Sequence, residues 1–338
     1  RTQFTGAGTI VDAGSFLGKS ASYFTHGLRA NPRFDPDRDR VHCFDNFLVN
    51  DPHTVGYLQQ EFGLQRAVGS STLDLFEAQV APVRDLIEVH AGDFHTVAWE
   101  RRPVEILLVD IAKSPSLGCR LVELFFRDLL PGRSYVVQQD YHHPWLPHIH
   151  VVMEFLSPWF ELVVPRCDDS ALFRLREALP EAAWRRVVAD DFDATERLAL
   201  MDQAIQRLPE GDRHHVELAR VLLRGQLLDW ETAHRELQAV LERYDHCRGE
   251  PQWVHYLENV QDAVDESAGW QRKARGDVTG TLEIANAMLA RGALHGGALV
   301  MRGWALRMSN QLSASEASLR AAITLPKHSG FTYSEWSL

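Results

Sequence analysis

The stretch Thr9-Ile10-Val11-Asp12-Ala13-Gly14-Ser15-Phe16-Leu17-Gly18-Lys19-Ser20 constrains the fold of this chain more than any other. An apolar run ends in an acid, passes two glycines four residues apart, and opens into Ser20-Ala21-Ser22-Tyr23-Phe24-Thr25-His26-Gly27-Leu28, which reads as a helix. A strand, a tight glycine turn and a helix in that order form the opening unit of a nucleotide-binding sheet. Glycine lets the backbone approach a ligand, and the helix start faces it with N–H groups. Gly14 and Gly18 frame three residues and no third glycine follows at the dinucleotide spacing, which counts against a nicotinamide enzyme.

The chain beyond the turn alternates strands and helices. Val41-His42-Cys43-Phe44-Asp45 reads as a second strand ending in an acid, the position from which a carboxylate accepts from ribose hydroxyls. Asp51-Pro52 starts a helix with Val55, Leu58 and Phe62 at helical spacing, and another is expected over Thr72 to Val80. Leu86 to His90 is a third strand, followed by Gly92-Asp93. Val104 to Val109 is a near-continuous apolar run of the buried parallel type, closing on Asp110. A helix over Ser116 to Leu130, a strand over Ser134 to Gln139 closing on Asp140, and a late strand over Trp159 to Val164 complete the pattern. This predicts a Rossmann-like, doubly wound α/β domain with its ligand at the carboxyl ends of the strands.

The pattern of acid, one residue, glycine, three residues and glycine resembles motif I of the class I S-adenosylmethionine-dependent methyltransferases. Together with Phe44-Asp45-Asn46-Phe47, Val109-Asp110, Leu130-Pro131-Gly132 and Gln139-Asp140-Tyr141, it is similar to the macrocin O-methyltransferase family over roughly residues 9–164. The resemblance implies methyl transfer from S-adenosylmethionine to a hydroxyl of a small, sugar-like acceptor, assisted by Mg2+. It puts Asp12, Gly14, Ser15 and Gly18 around the methionine part of the cofactor, Asp45 on the ribose and Asp93 by the adenine. It also puts Asp110 and Asp140 on the metal. Gln139 stands where the family has the first acid of a pair, and an amide supplies no charge to a cation.

Asp140-Tyr141-His142-His143-Pro144-Trp145-Leu146-Pro147-His148-Ile149-His150 is the most chemically loaded segment. His148 and His150 share a face only on an extended chain, whereas Pro147 to Leu156 reads as a helix, so hydrogen bonding is favoured over a transition-metal site. Methyl transfer to a hydroxyl gains from a base whose pKa lies near the working pH, which points to His142 or His143 beside Asp140. Tyr141 and Trp145 are candidate pocket walls.

With 338 residues the chain suits two domains, and composition changes after Pro165. Residues 1–166 read as the α/β domain and 167–338 as an all-α domain. No strand is expected between Asp168 and the tail. His215 to Tyr244 and Gly297 to Pro326 read as helix pairs with small residues near each crossing, with a single helix over Thr281 to Gly292 between them. Such pairs resemble tetratricopeptide repeats, which stack and leave a surface for a protein partner or a second copy. The alternative function is therefore a non-catalytic methyltransferase-fold protein that docks or assembles through its helices.

A net charge of -11 argues against duplex nucleic acid and anionic membranes as partners. Cys43, Cys119, Cys167 and Cys247 form no CxxC pair, and no apolar run reaches the roughly 18 residues of a membrane helix. A reducing, cytoplasmic setting is the expectation. Arg1 in place of Met suggests a trimmed N-terminus.

Overall fold

The computed structural model describes residues 3–292 and 295–325, which fall into two compact units. The first comprises Arg1–His142 and His148–Asp193, the second His143–Pro147 and Ala194–Leu338.

The first unit is built on strands β1 (Thr9–Ala13), β2 (Val41–Asp45), β3 (Ile87–Ala91), β4 (Val104–Val109), β5 (Tyr135–Gln138), β6 (Phe160–Cys167) and β7 (Ser170–Leu175). They form a seven-stranded mixed sheet in the order β3-β2-β1-β4-β5-β7-β6. The order reverses between β1 and β4, the switch point at which open α/β sheets form a crevice. β1 to β5 are parallel and β7 runs antiparallel to both neighbours. β1 and β4 are almost wholly buried, as their apolar runs require of strands covered on both faces.

Helices lie between the strands, α1 (Lys19–Arg29), α2 (Pro52–Phe62), α3 (Leu73–Val80), α4 (Pro115–Phe125) and α5 (Pro147–Phe155), and α6 (Glu181–Val188) follows the last strand. Their starts follow the expected chemistry. Asp51 accepts from the Thr54 N–H and Ser114 from the Leu117 N–H, each followed by a proline at the first helical position. α1 buries Ala21, Thr25 and Leu28, a spacing of four and three residues. α4 stops at Phe125, short of the expected Leu130, because the chain tightens into a 3₁₀ turn over Phe126–Asp128.

One expectation is corrected. The segment beyond Asp168 does contain a strand, β7, formed because Asp168 takes a left-handed φ of 58° and turns the chain back onto β6. β7 buries Ala171, Phe173 and Leu175 in strict alternation. The first unit consequently runs to Asp193, past the change in composition near residue 166.

The second unit is helical: α7 (Ala194–Arg207), α8 (His214–Leu227), α9 (Trp230–Arg243), α10 (Pro251–Ala274), α11 (Val278–Ala290), α12 (Gly296–Met308) and α13 (Leu312–Thr324). The two expected pairs are α8 with α9 and α12 with α13, and α11 answers the helix expected between them; the long α10, for which no helix is expected from the sequence, lies there as well. Pro326, the expected end of the last pair, lies outside the described residues. The small residues have a steric reason. A Cβ on Gly225 would lie 2.2 Å from the Trp230 ring, and one on Gly303 would lie 2.6 Å from Leu319. One core joins Leu218, Leu222, Leu237, Trp253 and Val260, and Trp145 packs against it. A second joins Ala268, Ile284, Met288, Ala298 and Met301. Among the described residues no helix is long and apolar enough to cross a membrane.

Candidate functional site at the strand ends

The turn after β1 is held from below and from the side. Gly14 has φ 100°, and a Cβ there would sit 2.7 Å from the Asp110 carbonyl carbon, so only glycine lets β1 and the end of β4 approach this closely. Gly18 has φ 84° and presses on Val80 and Phe76 of α3, where a Cβ would lie 2.8 Å and 3.0 Å from their side chains. Four N–H groups of this turn are used within the protein. Gly14 donates to the Phe44 carbonyl at 2.8 Å, and Ser15 to the same oxygen at 3.3 Å. Gly18 donates to the Ser15 carbonyl at 2.7 Å, and Phe16 to Asp45 Oδ2 at 2.9 Å. A phosphate cradle needs such groups turned outward.

Three carboxylates converge on the turn from the ends of β1, β2 and β4. Asp12 is fully buried; Ser20 Oγ at the start of α1 donates to its Oδ2 at 2.7 Å, and its Oδ1 has no hydrogen-bond partner. Burial pushes the Asp12 carboxyl up to about 7; the hydrogen bond from Ser20 and the nearby Ser15 hydroxyl, which donates to the Asp12 main-chain carbonyl at 2.9 Å, oppose this, while Asp110 and Asp45 push it further. Asp45 is likewise raised by burial, against the N–H groups of Phe47 and Phe16 that donate to it. The expected ribose carboxylate thus also ties the glycine turn to the end of β2. Asp93 is exposed and caps a turn by accepting from the His95 N–H at 2.9 Å.

Asp110 and Asp140 are brought together, as the resemblance requires, by the adjacent ends of β4 and β5. A lysine stands between them. Lys113 Nζ lies 2.6 Å from Asp110 Oδ1 and 2.5 Å from Asp140 Oδ2. Burial pulls the Lys113 ammonium down, but the two carboxylates outweigh it and hold its pKa above the ordinary lysine range. Asp110 is raised by burial and by Asp140, against the charge of Lys113 and a hydrogen bond from the Gln139 side chain. Gln139 therefore acts as a donor to Asp110, whereas a magnesium ligand would have to present its carbonyl oxygen. An ammonium shared by both carboxylates and an amide donated to one of them do not fit a divalent ion. This arrangement is at odds with the expected Mg2+ on Asp110 and Asp140.

The histidines are placed differently from the expected base. His142 is buried, with its ring Nε2 2.9 Å from the Pro165 carbonyl, so that nitrogen carries the proton and donates it. His143 groups with the second unit, where its ring lies 5.0 Å from that of Tyr256 and its Nδ1 accepts from the Trp145 N–H. Tyr141 is buried against Phe173, and Trp145 belongs to the helical core. His148 Nε2 is 2.9 Å from the Ala112 carbonyl. Lys113 and Ser20 are the residues the sequence reading missed. The available signal was a lysine three positions after a strand-end acid.

No family model matches the chain, and no curated protein matches it in sequence.

Proposed function

We propose that the first unit is a class I methyltransferase that binds S-adenosylmethionine at the ends of β1, β2 and β4 and methylates a hydroxyl of a small acceptor. The observation that carries this reading is the charge of the site. Three partly or fully buried carboxylates face one glycine turn, one of them with an unpartnered oxygen, and the N–H groups of Gly14, Ser15, Phe16 and Gly18 are spent internally. Such a cluster of carboxylates repels the pyrophosphate of a dinucleotide and attracts a cation. S-adenosylmethionine carries an ammonium and a sulfonium. The open switch-point sheet with an antiparallel strand near its far edge supports the same reading.

In this reading Asp12 receives the ammonium of the methionine part beside Gly14, Ser15 and Gly18. Asp45 takes the ribose hydroxyls and Asp93 the adenine edge. The new O–CH₃ bond forms as the S–CH₃ bond breaks, and the acceptor's hydroxyl proton passes to Asp140. Lys113 stays charged and stabilises the oxygen as it sheds that proton, so the chain's own cation takes the place of the family's metal. Alignment supplies most of the rate, since the sulfonium is already activated. The helical unit is proposed to be tetratricopeptide-like and to dock a protein partner or a second copy. Met308, Leu312 and Ile323 are exposed on its last pair.

Calorimetric titration with S-adenosylhomocysteine and with 5′-methylthioadenosine, which lacks the amino-acid part, tests the assignment. Micromolar binding of S-adenosylhomocysteine is expected. Asp12→Asn should weaken it about tenfold or more while sparing 5′-methylthioadenosine, since one charge-assisted contact is worth about 1.5–3 kcal/mol. Failure of the folded protein to bind either compound overturns the reading.

A further inference from the structure

We propose that His42, Glu88 and His90 form a binding site for a divalent transition-metal ion, with zinc the best match, that cross-links β2 to the edge strand β3. The register of the sheet builds this group. His42 pairs with Glu88 across the two strands, and His90 stands two residues further along β3 on the same face. The three ligand atoms converge within 4.8 Å of one another. His42 Nδ1 is 3.1 Å from His90 Nε2 and 3.2 Å from Glu88 Oε2. In a tetrahedral zinc site with metal–ligand distances of about 2.05 Å, neighbouring ligand atoms lie about 3.3 Å apart. The observed spacings match an edge of that tetrahedron.

The surroundings fix the donors in place. The His90 ring stacks on Phe44, with centroids 4.1 Å apart and planes within 4°, and Trp99 meets the His42 ring edge-on at 5.1 Å. Arg102 lies 3.6 Å from Glu88 Oε1, which leaves Oε2, the oxygen that faces His42, to the ion. His42 is buried while the Glu88 side chain is 40% exposed, so the group has a closed floor and an opening to water. Two imidazoles and one carboxylate are the ligand chemistry zinc prefers, and three protein ligands leave a fourth position for water. His42 and Glu88 lie near the starting ends of their strands, and the site uses none of the residues assigned to the proposed methyl transfer. Among the described residues β3 has β2 as its only neighbour in the sheet, so an ion here pins an edge that is otherwise held by one ladder.

Protein stripped with a chelator would be titrated with zinc chloride by calorimetry, with thermal unfolding followed in parallel. Cobalt chloride would be added to a second sample to read coordination from its visible absorption. Wild type should take up one zinc ion per chain, unfold at a higher temperature with zinc, and show the strong visible bands of tetrahedral cobalt. Glu88→Gln and His90→Gln should each weaken binding by about tenfold or more, the scale seen even for lost outer-shell partners, and abolish the thermal shift. Either of two results overturns the site: no zinc uptake by folded wild type, or variants that take up zinc and gain stability as wild type does.

Discussion

Glu105 in β4 and Asp12 in β1 are carboxylates wholly buried in neighbouring strands, one near the start of its strand and the other near the end. Glu105 accepts the N–H of Thr5 with one oxygen and those of Ala7 and Gly8 with the other, at 3.0 Å and 3.2 Å. Its charge is fully spent on holding the segment before β1. Asp12 has one hydroxyl donor for two oxygens and two further carboxylates nearby. A buried acid costs free energy unless its lone pairs are filled. The first position therefore belongs to the fold, and the second makes sense for a ligand that brings positive charge. Burial alone does not separate the two uses; the count of donors does.

Glu105→Gln is the largest break in this comparison. The amide keeps one acceptor oxygen and turns an NH₂ group toward the backbone donors of this part-buried segment, leaving some of those N–H groups without an acceptor. A loss of about 3 kcal/mol is expected in urea unfolding, from a cost of roughly 1–3 kcal/mol for each such group. Binding of S-adenosylhomocysteine by the remaining folded protein should be unchanged.

Asp12→Asn should act with the opposite sign. The Asp12 carboxyl titrates at about 7 in the folded chain, against about 3.9 in an unfolded one. Between these values the folded state binds more protons, so this group's contribution makes stability fall as pH rises from about 4 to about 7. Above that range the full cost of the buried charge is present. The asparagine variant escapes it and should be more stable than wild type by about 2 kcal/mol at pH 8, with little difference at pH 4. Urea midpoints at the two pH values check this. The same titration predicts that wild-type affinity for S-adenosylhomocysteine rises through about pH 7, as Asp12 becomes charged. A variant that is no more stable at pH 8 would show that Asp12 is compensated in the same way as Glu105.

Local signals made much of the fold legible. The turn at Gly14 and Gly18, the apolar run of β4, the Asp51-Pro52 start of α2 and the small residues at Gly225 and Gly303 are each set by residues close in sequence. β7 was hidden although Ala171, Phe173 and Leu175 alternate, because the surrounding composition is helical and six residues give little period to read. The site was legible as a set of acids at strand ends, and its charges were not. Lys113 reaches Asp140 only because Val109 pairs with Gln138 across β4 and β5. His42 meets His90 only through the register of β2 and β3. Contacts made by sheet register between distant segments leave no pattern in a single sequence.

The smallest effect on stability, and the sharpest on chemistry, is expected at Lys113. Its side chain is 46% exposed and its two ion pairs face solvent in part, so Lys113→Ala should change unfolding free energy by less than about 1 kcal/mol. What changes is the charge balance between Asp110 and Asp140, which then face each other with no cation between them. Two carboxylates and a side-chain amide are oxygen donors of the kind magnesium takes. Lys113→Ala should therefore acquire binding of magnesium chloride in calorimetry that wild type lacks, while its affinity for S-adenosylhomocysteine stays close to wild type. Magnesium binding by wild type at equal strength would mean that the lysine yields its place readily, and that Asp110 and Asp140 are a metal pair after all. Lack of binding in the variant would put the cause in Gln139. In that case Lys113→Ala combined with Gln139→Asp should bind the ion, because the third carboxylate restores the charge that the amide withholds.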